Sequence, residues 1–156
     1  MKKKPEKFYT ARGYEMENKT LTPSMEDYLE MIYRLNQKNN NISVYDLAEN
    51  LNVSPPSVTK MIQKLDKKKL VNYEKYGLIN LTETGVEKGK YFIKRHNTIK
   101  EFLNLIGNYE NIHKDVENIE HHISLNTFKK LSLFVSFLKE NNYILDEFNE
   151  YKNKKK

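Results

Sequence analysis

Glu117, Glu120 and His121 stand at i, i+3 and i+4, a spacing that on a helix stacks two carboxylates and an imidazole on neighbouring turns. Ile112, Val116, Ile119 and Ile123 repeat beside them at the spacing of one buried stripe, so residues 115–124 read as an amphipathic helix. Carboxylates crowded against apolar surface are costly unless a cation lies between them. An isolated E-x-x-E-H is more often a solvated acidic edge that ends in a histidine. Here the rest of the chain offers more groups of the same kind. Asp27 and Glu30 form a second i, i+3 carboxylate pair, and His96 shares an apolar helix face with Phe92, Ile99, Leu103 and Ile106.

Asp27, Glu30, His96, Glu117, Glu120 and His121 together supply four carboxylates and two imidazoles, about what one or two divalent metals per subunit require. Oxygen-rich ligation with some nitrogen and no sulfur suits Mn(II), with Fe(II) as the other candidate, and the imidazoles argue against a pure Ca(II) or Mg(II) site. His113 reads as exposed, and His122 is rotated by about 100° from His121, off the ligand strip. Such a cluster can also activate water, so a binuclear metallohydrolase is the competing reading. Against it, the sequence offers no extra base or substrate-binding loop around the cluster.

Composition narrows the setting. The chain has 156 residues, enough for one sizeable core or two small units sharing one, and 27 Lys and Arg against 21 Asp and Glu give it a net charge of +6. That balance suits a polyanionic partner. The absence of cysteine excludes disulfides and thiolate ligands. No apolar run approaches the roughly 18 residues of a membrane span, and the lysines after Met1 are followed by no apolar segment of a signal peptide. A cytoplasmic protein is expected.

The elements that must position these groups follow in chain order. Residues 1–20 are a basic arm without periodicity. Thr22-Pro23-Ser24 opens a first helix with the stripe Met25, Tyr28, Leu29, Ile32 and Leu35. Ser43 and Asp46 form a capping box before a short second helix, and Ser54-Pro55 caps and opens a third with Val58, Met61, Ile62 and Leu65 inward. Two short helices with a tight link match a helix-turn-helix. Residues 70–75 and 78–82 alternate as a two-stranded β wing turning at Tyr76-Gly77. A long helix over 84–106 stops at Gly107. After the acidic helix, Asn126 is expected to cap a last helix carrying Phe128, Leu131, Phe134, Val135 and Leu138, whose broad apolar face suits a subunit interface. Residues 141–156 read as a frayed polar tail.

The outer face of the third helix presents Ser54, Pro56, Ser57, Thr59, Lys60, Gln63 and Lys64, with no acid before Asp66. Small polar residues at its start can approach base edges in a major groove while the lysines meet phosphates. Lys67, Lys68, Lys69 and the wing's Lys75 extend the positive strip, so double-stranded DNA is the expected partner. A solvated lysine face on a metal-independent winged-helix regulator is the plainer alternative.

Several segments in combination resemble the metal-dependent repressors related to the diphtheria toxin repressor, in their manganese transport regulator branch. They are T-P-S-M-E-D-Y-L-E at 22–30, V-S-P-P-S-V-T-K-M-I-Q-K-L-D at 53–66, Y-E-K-Y at 73–76, R-H at 95–96 and D-V-E-N-I-E-H-H-I-S at 115–124. The likeness runs from about residue 21 to 138. It implies that Asp27, Glu30, His96, Glu117, Glu120 and His121 are metal ligands. Iron-responsive members place Met and Cys where this chain has Asp27 and Glu117, which supports manganese.

The expected architecture is therefore mainly α. It comprises a basic arm (1–20), a winged helix-turn-helix DNA-binding domain (21–83), an all-α metal-binding and dimerisation domain (84–140) and a tail (141–156). The expected function is that of a homodimeric, Mn(II)-responsive repressor of manganese uptake genes, which metal holds in the arrangement that fits a palindromic operator.

Overall fold

Helix α1 (Pro23–Asn36) begins where Thr22, in extended conformation, accepts a hydrogen bond from the Met25 backbone N–H through its hydroxyl, with proline supplying the fixed φ of the first turn. Leu29 and Ile32 on its inner face are fully buried. In this computed structural model residues 21–38, 41–73 and 77–155 are described. The basic arm 1–20 and the wing residues Lys75 and Tyr76 lie outside them.

The capping box forms as the sequence predicts: Ser43 accepts from the Asp46 backbone N–H and Asp46 accepts from that of Ser43, starting α2 (Val44–Leu51). Asn52 closes α2 in the left-handed region at φ 53°. Helix α3 (Pro55–Lys67) follows, with Val58, Ile62 and Leu65 completely buried. Ser54 is its N-cap residue, but its hydroxyl meets that of Ser57 at 2.9 Å and makes no capping bond.

Strands β1 (Val71–Tyr73) and β2 (Ile79–Leu81) pair antiparallel, Asn72 opposite Asn80. The sequence misses a third participant: Ile42, ahead of α2, bridges to Ile79 and ties the wing to the helix-turn-helix.

Helix α4 (Glu83–Leu105), capped by the Thr82 hydroxyl, connects the two halves and runs along α1. The two helices approach so closely at Gly89 that an added Cβ would stand 2.5 Å from Cβ of Tyr33. That spacing sets where α1 and α4 present their polar groups to each other. Gly107 at φ +82° turns the chain out of α4 as predicted.

Helix α5 (Ile112–Glu120) starts and ends earlier than the expected 115–124, with His121 as its C-cap. The next helix, α6 (Leu125–Glu140), is capped by Ser124 and not by Asn126: its hydroxyl accepts from the Thr127 backbone N–H. Because Ser124 takes the cap, the chain leaves helical conformation before it and starts afresh two residues earlier than read.

The segment expected to fray is a helix, α7 (Asn142–Lys154). Lys152 donates from Nζ to the Ile106 carbonyl at 3.1 Å, joining α7 to the C-terminal end of α4, where a cation is favoured. Two buried clusters result: a large one spans α1–α3, the wing and Phe92, and a small one unites Ile99, Leu103 and Val116.

Candidate metal centre and nucleic-acid interface

The six predicted donors come from three helices and converge. Asp27 and Glu30 project from α1, His96 from α4, and Glu117, Glu120 and His121 from the C-terminal end of α5. They fall into two groups, Asp27–Glu117–Glu120–His121 and Glu30–His96–Glu120, in each of which one donor atom per residue lies within 4.8 Å of the others. Opposite ligands of an ion held by bonds of about 2.2 Å stand about 4.4 Å apart, so both groups are of the right size for a divalent cation. Glu120, only 1% exposed, belongs to both.

Hydrogen bonds fix the imidazoles. His121 Nε2 lies 2.9 Å from Asp27 Oδ1, while its Nδ1 donates to Glu26 Oε2 at 2.9 Å. His96 Nδ1 donates to Glu120 Oε2 at 2.9 Å and stands 3.9 Å from Glu117 Oε1. Burial by itself would lower the pKa of His121, but Asp27, Glu117 and Glu26 overcome it and push the imidazole up to about 11. The bond to Glu120 likewise raises His96. Protons so held on the imidazoles offset the carboxylate charge. Burial raises Glu30 despite the neighbouring Arg34, whereas the bond with His121 holds Glu117 down.

Three functional neighbours escape a reading of the sequence. Burial would raise Glu26, yet the bonds from His121 and Arg95 keep it below the usual carboxylate range. Arg95 donates from Nη2 to Glu26 Oε2 at 2.8 Å and lies over the Phe92 ring. The chain Arg95–Glu26–His121 orients the ring that faces Asp27, as the outer partners of a ligating histidine do. The third neighbour is Arg34, which pairs with Glu30 at 2.6 Å. The only sequence signal for the first two was a charged residue on an otherwise apolar stripe: Glu26 beside Met25, and Arg95 between Phe92 and Ile99.

The face expected to meet nucleic acid lies on α3. Ser54, Pro56, Ser57, Lys60, Gln63 and Lys64 are exposed on α3, while Thr59 is half-buried and its hydroxyl donates to the Pro55 carbonyl at 3.1 Å. Thr59 is therefore turned along the helix and is the weakest of the predicted base contacts. Lys75 lies outside the described residues. His113 and His122 are both exposed and outside the two groups, as read.

Comparison with known proteins places these features in a family. Residues 20–78 match the model of the iron dependent repressor N-terminal DNA binding domain, and residues 82–149 that of the iron dependent repressor metal binding and dimerisation domain. The HTH-type transcriptional regulator MntR of Geobacillus thermodenitrificans is 48% identical over 120 residues, covering 76% of this chain and 85% of the relative. Among solved structures, the manganese regulator SloR gives a TM-score of 0.65 at 34% identity over 75% of this chain and 55% of that one. A manganese-dependent transcriptional repressor in complex with manganese gives 0.65 at 26% identity over 72% and 53%. The chain thus spans about half the length of those two solved structures. No described helix is long and apolar enough to cross a membrane.

Proposed function

Because the chain belongs to the iron-dependent repressor family, we propose that it is a Mn(II)-responsive, DNA-binding transcriptional regulator acting in the cytoplasm to repress manganese uptake genes. One observation carries this reading. The donors that suit a metal are divided between α1 of the DNA-binding half and α5 of the helical half, and they meet at buried Glu120.

Asp27, Glu117, Glu120 and His121 would hold one ion, and Glu30, His96 and Glu120 a second or a weaker one. The donor set fits manganese: carboxylate oxygens dominate, imidazole nitrogen contributes and sulfur is absent. Bound there, the dication supplies the positive charge that the imidazolium protons otherwise provide. Coordination there would tie Asp27 to α5 and hold α1 against the helical half.

The Arg95–Glu26 pair keeps Nδ1 of His121 occupied as a donor, leaving Nε2 to ligate. With α1 fixed, the α3 faces of two subunits are set at one spacing for a palindromic operator, Ser57 and Lys60 near bases and Lys64 on phosphate. Of the face expected to meet a second subunit, Phe128, Val135 and Leu138 instead turn inward and are buried in the chain's own core. The apolar row that α6 leaves exposed is Leu133, 71% exposed, with Phe134 and Phe137, and it is this row that suits homodimerisation. A metallohydrolase is not supported, since the family consists of DNA-binding repressors.

The test is binding to an operator selected from random duplexes by the Mn(II)-loaded protein. Affinity should be high with Mn(II) and fall to weak, salt-sensitive, non-specific binding with chelator. Equal specific binding in both conditions would refute the proposal.

A further inference from the structure

The two donor groups are not equivalent, and the difference lies in Arg34. One turn beyond Glu30 on α1, Arg34 donates from Nε at 2.9 Å and from Nη2 at 2.6 Å to the same oxygen, Glu30 Oε1. An exposed i, i+4 ion pair on a helix would mean little. This one is different because the Glu30 side chain is only 12% exposed and belongs to the donor group it shares with His96 and Glu120. Arg34 also lines, with Asp27, Glu30, Glu117 and Glu120, one cavity of about 240 Å³. Its charge reaches across that space: Glu117 is held down chiefly by His121 and to a lesser extent by Arg34.

At Asp27 the cation in direct contact is the His121 imidazole, at 2.9 Å, and an imidazolium can give up its proton to a metal. Near Glu30, one of the cations is a guanidinium, which stays charged at any working pH. An ion entering there must take Glu30 from Arg34 and then sit beside a fixed positive charge. The Arg34 side chain is 38% exposed, so it can swing toward water, and entry is weakened without being blocked.

We propose that Arg34 is a resident cation standing in for a second metal ion, so that the chain binds one Mn(II) tightly at Asp27–Glu117–Glu120–His121 and a second only weakly at Glu30–His96–Glu120. Arg34 is thereby a determinant of metal stoichiometry. The inference rests on the manganese reading above, and its test separates the two.

The metal-free full chain is titrated with Mn(II), and the free aqueous ion is followed by its paramagnetic resonance signal. Wild type should take up one tight equivalent per chain, with a second weaker by about tenfold or more, the scale set by a unit charge a few ångströms away. Arg34→Met keeps a long stem and removes the charge; it should bring the second equivalent to near the affinity of the first. Arg34→Lys keeps the charge and should behave as wild type. Should Arg34→Met lose its helical circular dichroism, Arg34→Gln makes the same comparison. Two equally tight ions in wild type, or no gain in the uncharged variants, overturn the proposal. Failure of every protein to bind Mn(II) overturns the manganese reading itself.

Discussion

The outer face of α3 and the cluster around Glu120 hold charge in opposite states. On α3, Lys60 and Lys64 extend into water beyond the small polar residues Ser54 and Ser57 at its start, ready to meet a partner. Around Glu120, carboxylates and imidazoles are drawn together from three helices and bonded to one another at 2.9 Å, with Glu26 and Arg95 buried behind them. The first surface gains its energy from outside the molecule. The second is held by internal pairing that a metal must replace. Changes at the cluster should therefore act on whether the protein binds DNA specifically, and changes on α3 on how strongly and where.

The largest effect is expected from Glu120→Ala, which removes the one donor common to both groups. An intact site at a hundredfold excess of Mn(II) over its dissociation constant gains about 2.7 kcal/mol, and most of that Mn(II)-dependent rise in thermal midpoint should vanish. Metal-activated operator binding should disappear with it. The dimer should persist by sedimentation, since Leu133, Phe134 and Phe137 are untouched. Retention of full metal activation would place the coupling elsewhere.

Next in size is Glu26→Gln. It leaves an amide on His121 in place of a carboxylate and strips Arg95, 4% exposed with its Nε already without a partner among the described residues, of its counter-charge. Loss of such an outer partner typically lowers metal affinity by about tenfold to a hundredfold. Calorimetric titration with Mn(II) checks this, and an unchanged affinity would show that the Arg95–Glu26–His121 chain only stabilises the fold.

A pH series gives a third, smaller handle with opposite signs for the two states. In the metal-free protein the His121 pKa is raised to about 11 from an ordinary value near 6.5. Its contribution to stability is fully present below about 6.5 and is lost as pH rises from there through about 11. Mn(II) affinity should move the other way and climb with pH, because protons on His121 and His96 must leave before either can ligate. Thermal midpoints with and without Mn(II) should thus diverge on the alkaline side. Parallel curves would mean that metal and protons do not compete for the cluster.

Much of this organisation is legible in the sequence, for reasons that differ by element. The capping box at Ser43 and Asp46, the proline starts of α1 and α3 and the turn at Gly107 are local signals, and each appears where it is read. The exposed α3 face is legible because nothing in the fold opposes it. Pairing over long separations is not: Glu26 lies 95 residues from His121, and its partner could not be named before α1, α4 and α5 were placed together. Asn126 loses the α6 cap to Ser124 because several polar residues there could serve, and only the path of the chain out of α5 decides among them. The tail is misjudged because its polarity conceals a weak stripe of Ile144, Leu145 and Phe148, stabilised by the Lys152 contact to Ile106.

The smallest effect is expected on the α3 side. Lys64→Ala should weaken DNA binding evenly across sequences and reduce the salt slope by about one, with operator preference unchanged. A shifted preference in binding selections would move Lys64 from phosphate to base contact and blur the contrast between the two regions.

Coupling between the regions is the central claim, and reciprocity measures it directly. The Mn(II) dissociation constant is determined for the free protein and for the protein saturated with its selected operator. The account predicts that DNA-bound protein holds Mn(II) more tightly, by the same factor by which Mn(II) tightens operator binding. Equal Mn(II) affinity with and without operator would contradict it, because the cluster and the α3 face would then be two independent sites on one chain.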